Sequence, residues 1–297
     1  MIGKNGIERE YEDVLRGAAG EEVIEVEFAR AQAAQHQLRE DAEGRRHDAD
    51  DRPYGTALRG GADGEVPRRA HRDGRSRRSI RCLYSSPSYD PNPLTWGISN
   101  KEWAALTDHV ERPMMNRAIS GAYPPASTFK VITGTAILEN KIANRNTKIN
   151  CPGWFELGNR RFRCWKRSGH GKENVTDALR DSCDVYFYEL ASKMGVRKLM
   201  ETEEKFGVGR KTGIDLSGEA SGTLPGPEWK KRRIKESWYG GDTVNNSIGQ
   251  GYVLMTPLQV VRVYAALANG GKLLKRGSTP PLRWRASRSA STPPCCA

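Results

Sequence analysis

Ser127 and Lys130 form an S-x-x-K pair at the head of the segment STFKVITGTAILEN. Three residues is nearly one helical turn, so on a helix the two side chains share a face. A serine hydroxyl is a weak nucleophile and needs a base to take its proton. A lysine amine serves once burial or neighbouring cations lower its pKa. A helix start also offers backbone N–H groups that can hold a developing oxyanion. The pair therefore reads as an acyl-transfer nucleophile with its base. S-x-x-K alone is common, and the plainer reading is a helix-capping serine followed by an exposed lysine. Tyr123-Pro124-Pro125-Ala126 sets a rigid turn immediately before the serine, which strengthens the catalytic reading.

A second group of chemistry-bearing residues lies downstream. Cys151, Cys164, His170 and Cys183 are spaced C-x12-C-x5-H-x12-C. Three thiols and one imidazole can close a tetrahedral structural zinc site. The spacing is not that of a zinc finger, so a disulfide with one spare thiol, or three free buried cysteines, stay open as alternatives. Cys82, Cys295 and Cys296 fall at or inside stretches of aberrant composition and are set aside.

The elements that must position these residues occupy only part of the chain. Its 297 residues suffice for one large domain or two small ones, yet hydrophobic residues make up just 37% and the mean hydropathy is −0.70. The polarity is uneven. Residues 1–26 read as ordinary protein, 27–82 do not, 83–275 again read as a folded block, and 276–297 are odd once more. Residues 27–82 are rich in Arg, Ala, Asp and Gly, with few large apolar residues and no sustained period, so they cannot offset their ordering entropy. Both aberrant stretches read as a GC-rich gene translated out of frame, with natural disorder as the alternative. In the folded block, apolar spacing predicts helices from Ser127, over Val175–Met194, over Val196–Phe206 up to Gly207, and from a Thr256 cap with Pro257 in the first turn.

No stretch reaches the roughly 18–20 apolar residues of a membrane span, and no signal segment opens the chain. The net charge is +12. Its densest run, Lys230, Lys231, Arg232, Arg233 and Lys235, has no aromatic interleaving and no nucleic-acid module around it. No nucleic-acid partner is expected. The run reads as a solvated loop beside an anionic polymer.

Four long segments then resemble one family in one order. NRAISGAYPPASTFKVITG, residues 116–134, is similar to the segment around the active-site serine of class B penicillin-binding proteins of the elongation type (the penicillin-binding protein 2 family). SSPSYDPN, residues 85–92, resembles the stretch just upstream. NNSIGQGYVLMTPLQVVRVYAALANGGK, residues 245–272, resembles the helix-rich portion downstream. GKNGIEREYEDVLRG, residues 3–17, resembles the end of the pedestal, or dimerisation, domain that precedes the transpeptidase.

The resemblance implies an α+β penicillin-binding transpeptidase (β-lactamase-like) domain, present here as an α-rich incomplete fragment with disordered segments. On that reading, residues 1–26 end the pedestal and 83–275 are a partial transpeptidase domain. Helix surface meant for the missing sheet would be exposed, which favours aggregation. The family's second motif, S-x-N, falls on Ser182-Cys183-Asp184, with Asp in place of Asn. Ser182 would relay a proton, a helix N-cap being its plainer role. The family's K-T-G is matched in letters by Lys211-Thr212-Gly213, which comes too soon after the second motif and reads as a decoy; the true third motif is expected to be absent. Catalytic residues are then Ser127, Lys130, Ser182 and Asp184. Some family members carry zinc near the cleft, which favours Cys151, Cys164, His170 and Cys183 as ligands bracing the second motif.

The implied activity is peptidoglycan D,D-transpeptidation through an acyl-serine, with β-lactams acylating the same serine and this chain defective. Implied partners are stem peptides, β-lactams and a membrane glycan polymerase of the elongation machinery. The implied place is the outer face of the bacterial cytoplasmic membrane, although this chain shows no anchor. A D,D-carboxypeptidase or β-lactamase-type hydrolase, and a non-catalytic zinc-braced module, are the rival readings.

Overall fold

The computed structural model describes residues 83–274 continuously, together with Glu10, Ile80 and the pairs 22–23 and 37–38. The expectations for residues 1–26, 27–82 and 276–297 thus lie almost wholly outside the described residues. From the first two stretches come the short strands β1 (Glu22–Val23) and β2 (Gln37–Leu38), paired antiparallel.

The continuous part is mainly helical. Two short helices, α1 (Asn92–Trp96) and α2 (Asn100–Thr107), lie at its start. A 3-10 turn, Ala126–Phe129, runs directly into α3 (Lys130–Glu139). Four short strands come next: β3 (Ile149–Cys151), β4 (Trp154–Leu157), β5 (Arg160–Arg163) and β6 (Gly171–Glu173). They form two antiparallel pairs, β3 with β6 and β4 with β5, so the chain returns beside β3 after the β4–β5 hairpin. Helices α4 (Val175–Arg180), α5 (Asp184–Met194), α6 (Val196–Lys205), α7 (Pro227–Arg233), α8 (Gly240–Ser247) and α9 (Pro257–Ala268) complete the block.

Helix α3 lies between two apolar clusters, which is why it is buried along most of its length. One face, with Ala136 and Ile137, joins Tyr186, Phe187 and Leu190 of α5, Leu199 of α6 and Val244 of α8. The other, with Ile132, joins Phe129, Val208, Val253, Met255 and Val263. Helix α9 begins as its sequence requires. The Thr256 hydroxyl accepts the Gln259 N–H while the Gln259 side chain accepts the Thr256 N–H. Gln259 is buried and also donates to the carbonyls of Arg210 and Ser221, both at 2.8 Å, so one side chain joins a helix start to two loops. Val261, Tyr264 and Leu267 on the opposite side of α9 are exposed.

Three expectations need correction. The helical region from Val175 to Met194 is broken at residues 181–183, because Ser182 adopts φ +53, outside the helical range. The basic run is not a solvated loop. Residues 227–233 form α7, and Lys230 is buried against Asp242 at 2.9 Å, while Lys231, Arg232, Arg233 and Lys235 stay exposed. Helix α8, which polar and glycine-rich GGDTVNNS conceals, was not expected at all.

The turn after α8 supports the serine turn. Gly249 has φ +72, its carbonyl accepts the Ala126 N–H at 2.9 Å, and a Cβ on it would lie 2.4 Å from the Ala126 oxygen. Thr133 on α3 donates to the Ser247 carbonyl at 2.7 Å. An alanine at 249 must adopt a left-handed conformation, costing roughly 1–2 kcal/mol, and also displace backbone at Ala126. Gly249→Ala is therefore expected to lower stability by about 2 kcal/mol or more, read by urea denaturation. A loss below about 0.5 kcal/mol would show that the turn yields freely.

Candidate active site

Ser127 sits exposed in the 3-10 turn, above the buried Lys130. The two are joined through Ser182. The hydroxyls of Ser182 and Ser127 are 2.9 Å apart, and Lys130 Nζ lies 2.9 Å from Ser182 Oγ. Lys130 Nζ also donates to the Ser182 carbonyl at 2.8 Å and to Asp184 Oδ1 at 2.6 Å. An ammonium carries three N–H groups, and these three acceptors satisfy all of them. The exposed-lysine alternative fails, since Lys130 is 1% exposed. So does the alternative of Ser182 as an N-cap: the residue preceding α5 is Cys183, and no side-chain cap is formed there. The unusual φ of Ser182 instead points both its carbonyl and its hydroxyl at the lysine. The four residues expected to be catalytic are thus brought into one contact path.

Asp184 is the hinge between this path and the cysteines. Its Oδ2 accepts the Trp165 N–H at 3.0 Å, and its own N–H donates to Cys164 Sγ at 3.4 Å. Burial pushes its carboxyl above the ordinary aspartate value, and the bond from Lys130 pulls it back down. Sequence reasoning passed over Trp165, whose role rests on a backbone N–H that any residue type except proline carries.

Cys151, Cys164, His170 and Cys183 converge, with their candidate ligand atoms all within 4.8 Å of one another. His170 Nδ1 lies 3.6 Å from the sulfurs of both Cys151 and Cys164. A tetrahedral zinc, with bonds of about 2.3 Å to sulfur and 2.0–2.1 Å to nitrogen, would set such ligand atoms about 3.5–3.8 Å apart. The donor set and its spacing therefore fit the metal. The three cysteines are free thiols here, not paired in a disulfide. The hydrogen bond between Cys164 and Cys183 pulls the Cys164 thiol below its ordinary value and, with burial, pushes that of Cys183 above it. Backbone N–H groups of Lys166, Asp184 and Val185 further favour a thiolate at Cys164. Gly169 allows the close approach of the returning chain to Cys151. It has φ +77, and a Cβ there would lie 2.1 Å from the Cys151 carbonyl oxygen.

Lys211-Thr212-Gly213 lies in a loop. The Glu219 carboxylate accepts the Thr212 N–H, the Thr212 hydroxyl and the Gly213 N–H. The segment is irregular loop, held by Glu219, and not an edge strand.

The ion pair makes a stability prediction. Asp184 and Lys130 are both buried, so Lys130→Ala leaves a carboxylate without its partner and should cost about 3–5 kcal/mol. Adding Asp184→Asn should recover part of that loss. Urea denaturation of the single and double variants measures it, and a double variant no more stable than the single would show that the pair is not the cause.

Comparison with known proteins agrees with the arrangement. Residues 75–276 match the penicillin-binding protein transpeptidase domain, and residues 1–46 match the penicillin-binding protein dimerisation domain. The peptidoglycan D,D-transpeptidase MrdA of Escherichia coli (strain K12) is 42% identical over 278 residues, covering 91% of this chain and 43% of the relative. The chain thus spans less than half the length of that curated relative. The structure of penicillin-binding protein PBP2 from Helicobacter pylori superposes with a TM-score of 0.73 at 31% identity, covering 92% of this chain and 52% of that one. Pseudomonas aeruginosa PBP2, solved in complex with WCK 5153, gives a TM-score of 0.64 at 39% identity over 66% of this chain and 43% of that one. By sequence over most of its length and by fold, the chain belongs to the penicillin-binding protein transpeptidase family.

Proposed function

We propose that the chain carries the acyl-serine half of a peptidoglycan D,D-transpeptidase site, with Ser127 as the nucleophile. The observation that supports this most directly is the unbroken path from Ser127 through Ser182 to Lys130. Ser127 Oγ attacks the carbonyl of the penultimate D-alanine of a stem peptide. Its proton passes through the Ser182 hydroxyl to Lys130 Nζ, which must first have released one of its own protons, and the carbonyl becomes a tetrahedral oxyanion. The C–N bond to the terminal D-alanine then breaks. The returning proton goes to the leaving amine, and an acyl-serine remains. An amine from a neighbouring strand attacks that ester, forms the cross-link and regenerates the Ser127 hydroxyl. A β-lactam enters at the first step, and its ring opens to the same serine ester.

Partners and place are carried over from the family. Stem peptides, β-lactams and a membrane glycan polymerase are the proposed partners. The outer face of the bacterial cytoplasmic membrane is the proposed site of action. A related chain, 32% identical, is part of a structure described as the coordination of polymerization and crosslinking by a peptidoglycan synthase complex. No helix among the described residues is long and apolar enough to cross a membrane.

The proposal includes a structural zinc on Cys151, Cys164, His170 and Cys183. Bound there, it would supply a rigid cross-link holding the segment that carries Ser182 and Asp184. The reaction steps above are carried by the chain's own side chains.

Incubating the full chain with penicillin G and measuring its intact mass tests the nucleophile. A single covalent adduct mapped to Ser127, and none in Ser127→Ala, is expected. A folded sample that forms no adduct would overturn the acyl-serine reading. Metal analysis of the same preparation should return about one zinc per chain. Chelation should lower the melting temperature, and Cys183→Ser should lose the metal. Folded protein free of zinc would remove the metal from the proposal.

A further inference from the structure

A second buried polar group lies outside this path. Glu203, on α6, is fully buried, and so is Asn246, on α8. Asn246 Nδ2 donates to Glu203 Oε1 at 2.7 Å. The remaining oxygens of the two groups, Glu203 Oε2 and Asn246 Oδ1, are buried and without a hydrogen-bond partner. Two leftover acceptors on two groups already joined by one bond are a specific kind of mismatch. As a carboxylate, Glu203 has only acceptors to offer, and the amide oxygen cannot be satisfied by it. A proton on Oε2 converts that oxygen into the missing donor.

We propose that Glu203 is held as a neutral carboxylic acid, closing a two-bond ring with the Asn246 amide, and that it is a positioning residue for the Ser127 turn. The surroundings agree. Desolvation raises the Glu203 carboxyl to about 8, partly offset by the bond from Asn246, and the nearby charge of Glu204 raises it further. The charged groups of the packed helices are engaged elsewhere. On α3, Lys130 is held by Asp184 of α5, and Glu139 pairs with Lys205 at the exposed end of α6. On α5, Glu189 and Lys193 pair with each other. On α8, Asp242 holds Lys230. Tyr186 of α5 is buried, and desolvation pushes its hydroxyl up to about 12, so it stays neutral.

The position matters because the residues just beyond Asn246 reach the serine turn. The Asn246 carbonyl accepts the Gly249 N–H at 2.9 Å, and the Gly249 carbonyl accepts the Ala126 N–H at 2.9 Å. The Ser247 carbonyl receives the Thr133 hydroxyl from α3. On the other side, the Glu203 carbonyl accepts the Val208 N–H at 3.0 Å, tying the ring to the loop after α6. The ring therefore clamps α6 to the end of α8 that supports the turn before Ser127.

The test is the pH dependence of the full chain and of Glu203→Gln. A glutamine can form the same ring with no titrating proton. Because the folded-state value lies above the ordinary glutamate value, the stabilisation is complete below about pH 4.5 and is lost as pH rises through about 8. The folding equilibrium of the wild-type chain relative to Glu203→Gln should fall by up to about tenfold per pH unit between those limits. A ratio constant from pH 5 to pH 9 would overturn the proposal. In the wild-type chain alone, a protonated-carboxyl band in the infrared spectrum should disappear as pH passes through about 8. Absence of that band at pH 6 would overturn the proposal without recourse to a variant. The acylation arm rests on the acyl-serine reading: the wild-type rate with penicillin G, divided by that of Glu203→Gln, should decline over the same range. If neither protein acylates, that reading and the positioning role fall together, while the stability ratio still decides whether Glu203 is held neutral against Asn246.

Discussion

An ammonium group removed from water must find an acceptor for each of its hydrogens, and the site is organised around that requirement at Lys130. With 1% of its surface exposed, Lys130 cannot fall back on solvent. Its acceptors are two oxygens of Ser182 and one of Asp184, from a segment more than fifty residues away in sequence. Meeting them forces the chain out of helical geometry at Ser182 and separates α4 from α5. It also sets the Ser182 hydroxyl 2.9 Å from that of Ser127, so the constraint that satisfies the lysine joins the two serines.

That arrangement is braced from two sides. The cysteine–histidine cluster reaches it through Cys164 and Trp165, whose sulfur and backbone N–H hold Asp184 in place. The turn after α8 reaches it through Gly249 and Ala126, backbone to backbone. The first brace suits a metal, and the second depends on a close approach that only glycine permits. Neither brace needs a large sheet. A mainly helical block whose strands come only in pairs can therefore hold the site geometry. Apolar residues along α9 remain uncovered in that block.

Much was legible in residues close together in the chain. The S-x-x-K pair, the proline turn before it and the Thr256 cap with Gln259 three residues on all report on one helical turn. The helices α3, α6 and α9 follow from apolar spacing. Glycine-rich α8 was missed because its buried residues, Thr243, Val244, Asn246 and Ser247, are mostly polar and make no hydrophobic stripe. The basic run was misread as a solvated loop for a related reason. One of its lysines is buried by a partner, Asp242, that no local pattern identifies.

By itself, the sequence singled out Ser127 and Lys130 as a candidate nucleophile and base, Ser182 and Asp184 as a candidate second motif, the four candidate zinc ligands, and the helical character of the block. These follow from residue type and short spacing, and from four ordered segments that resemble one family. Only the tertiary structure decided that Lys130 reaches Ser127 through Ser182, that the four zinc-type ligands converge, that Lys211-Thr212-Gly213 is a loop held by Glu219, and that Glu203 faces Asn246 in the buried interior. Most of these are contacts between segments far apart in the chain. Such contacts are set by how helices pack against shared cores, and a local pattern carries no record of which distant group will fill the space beside it.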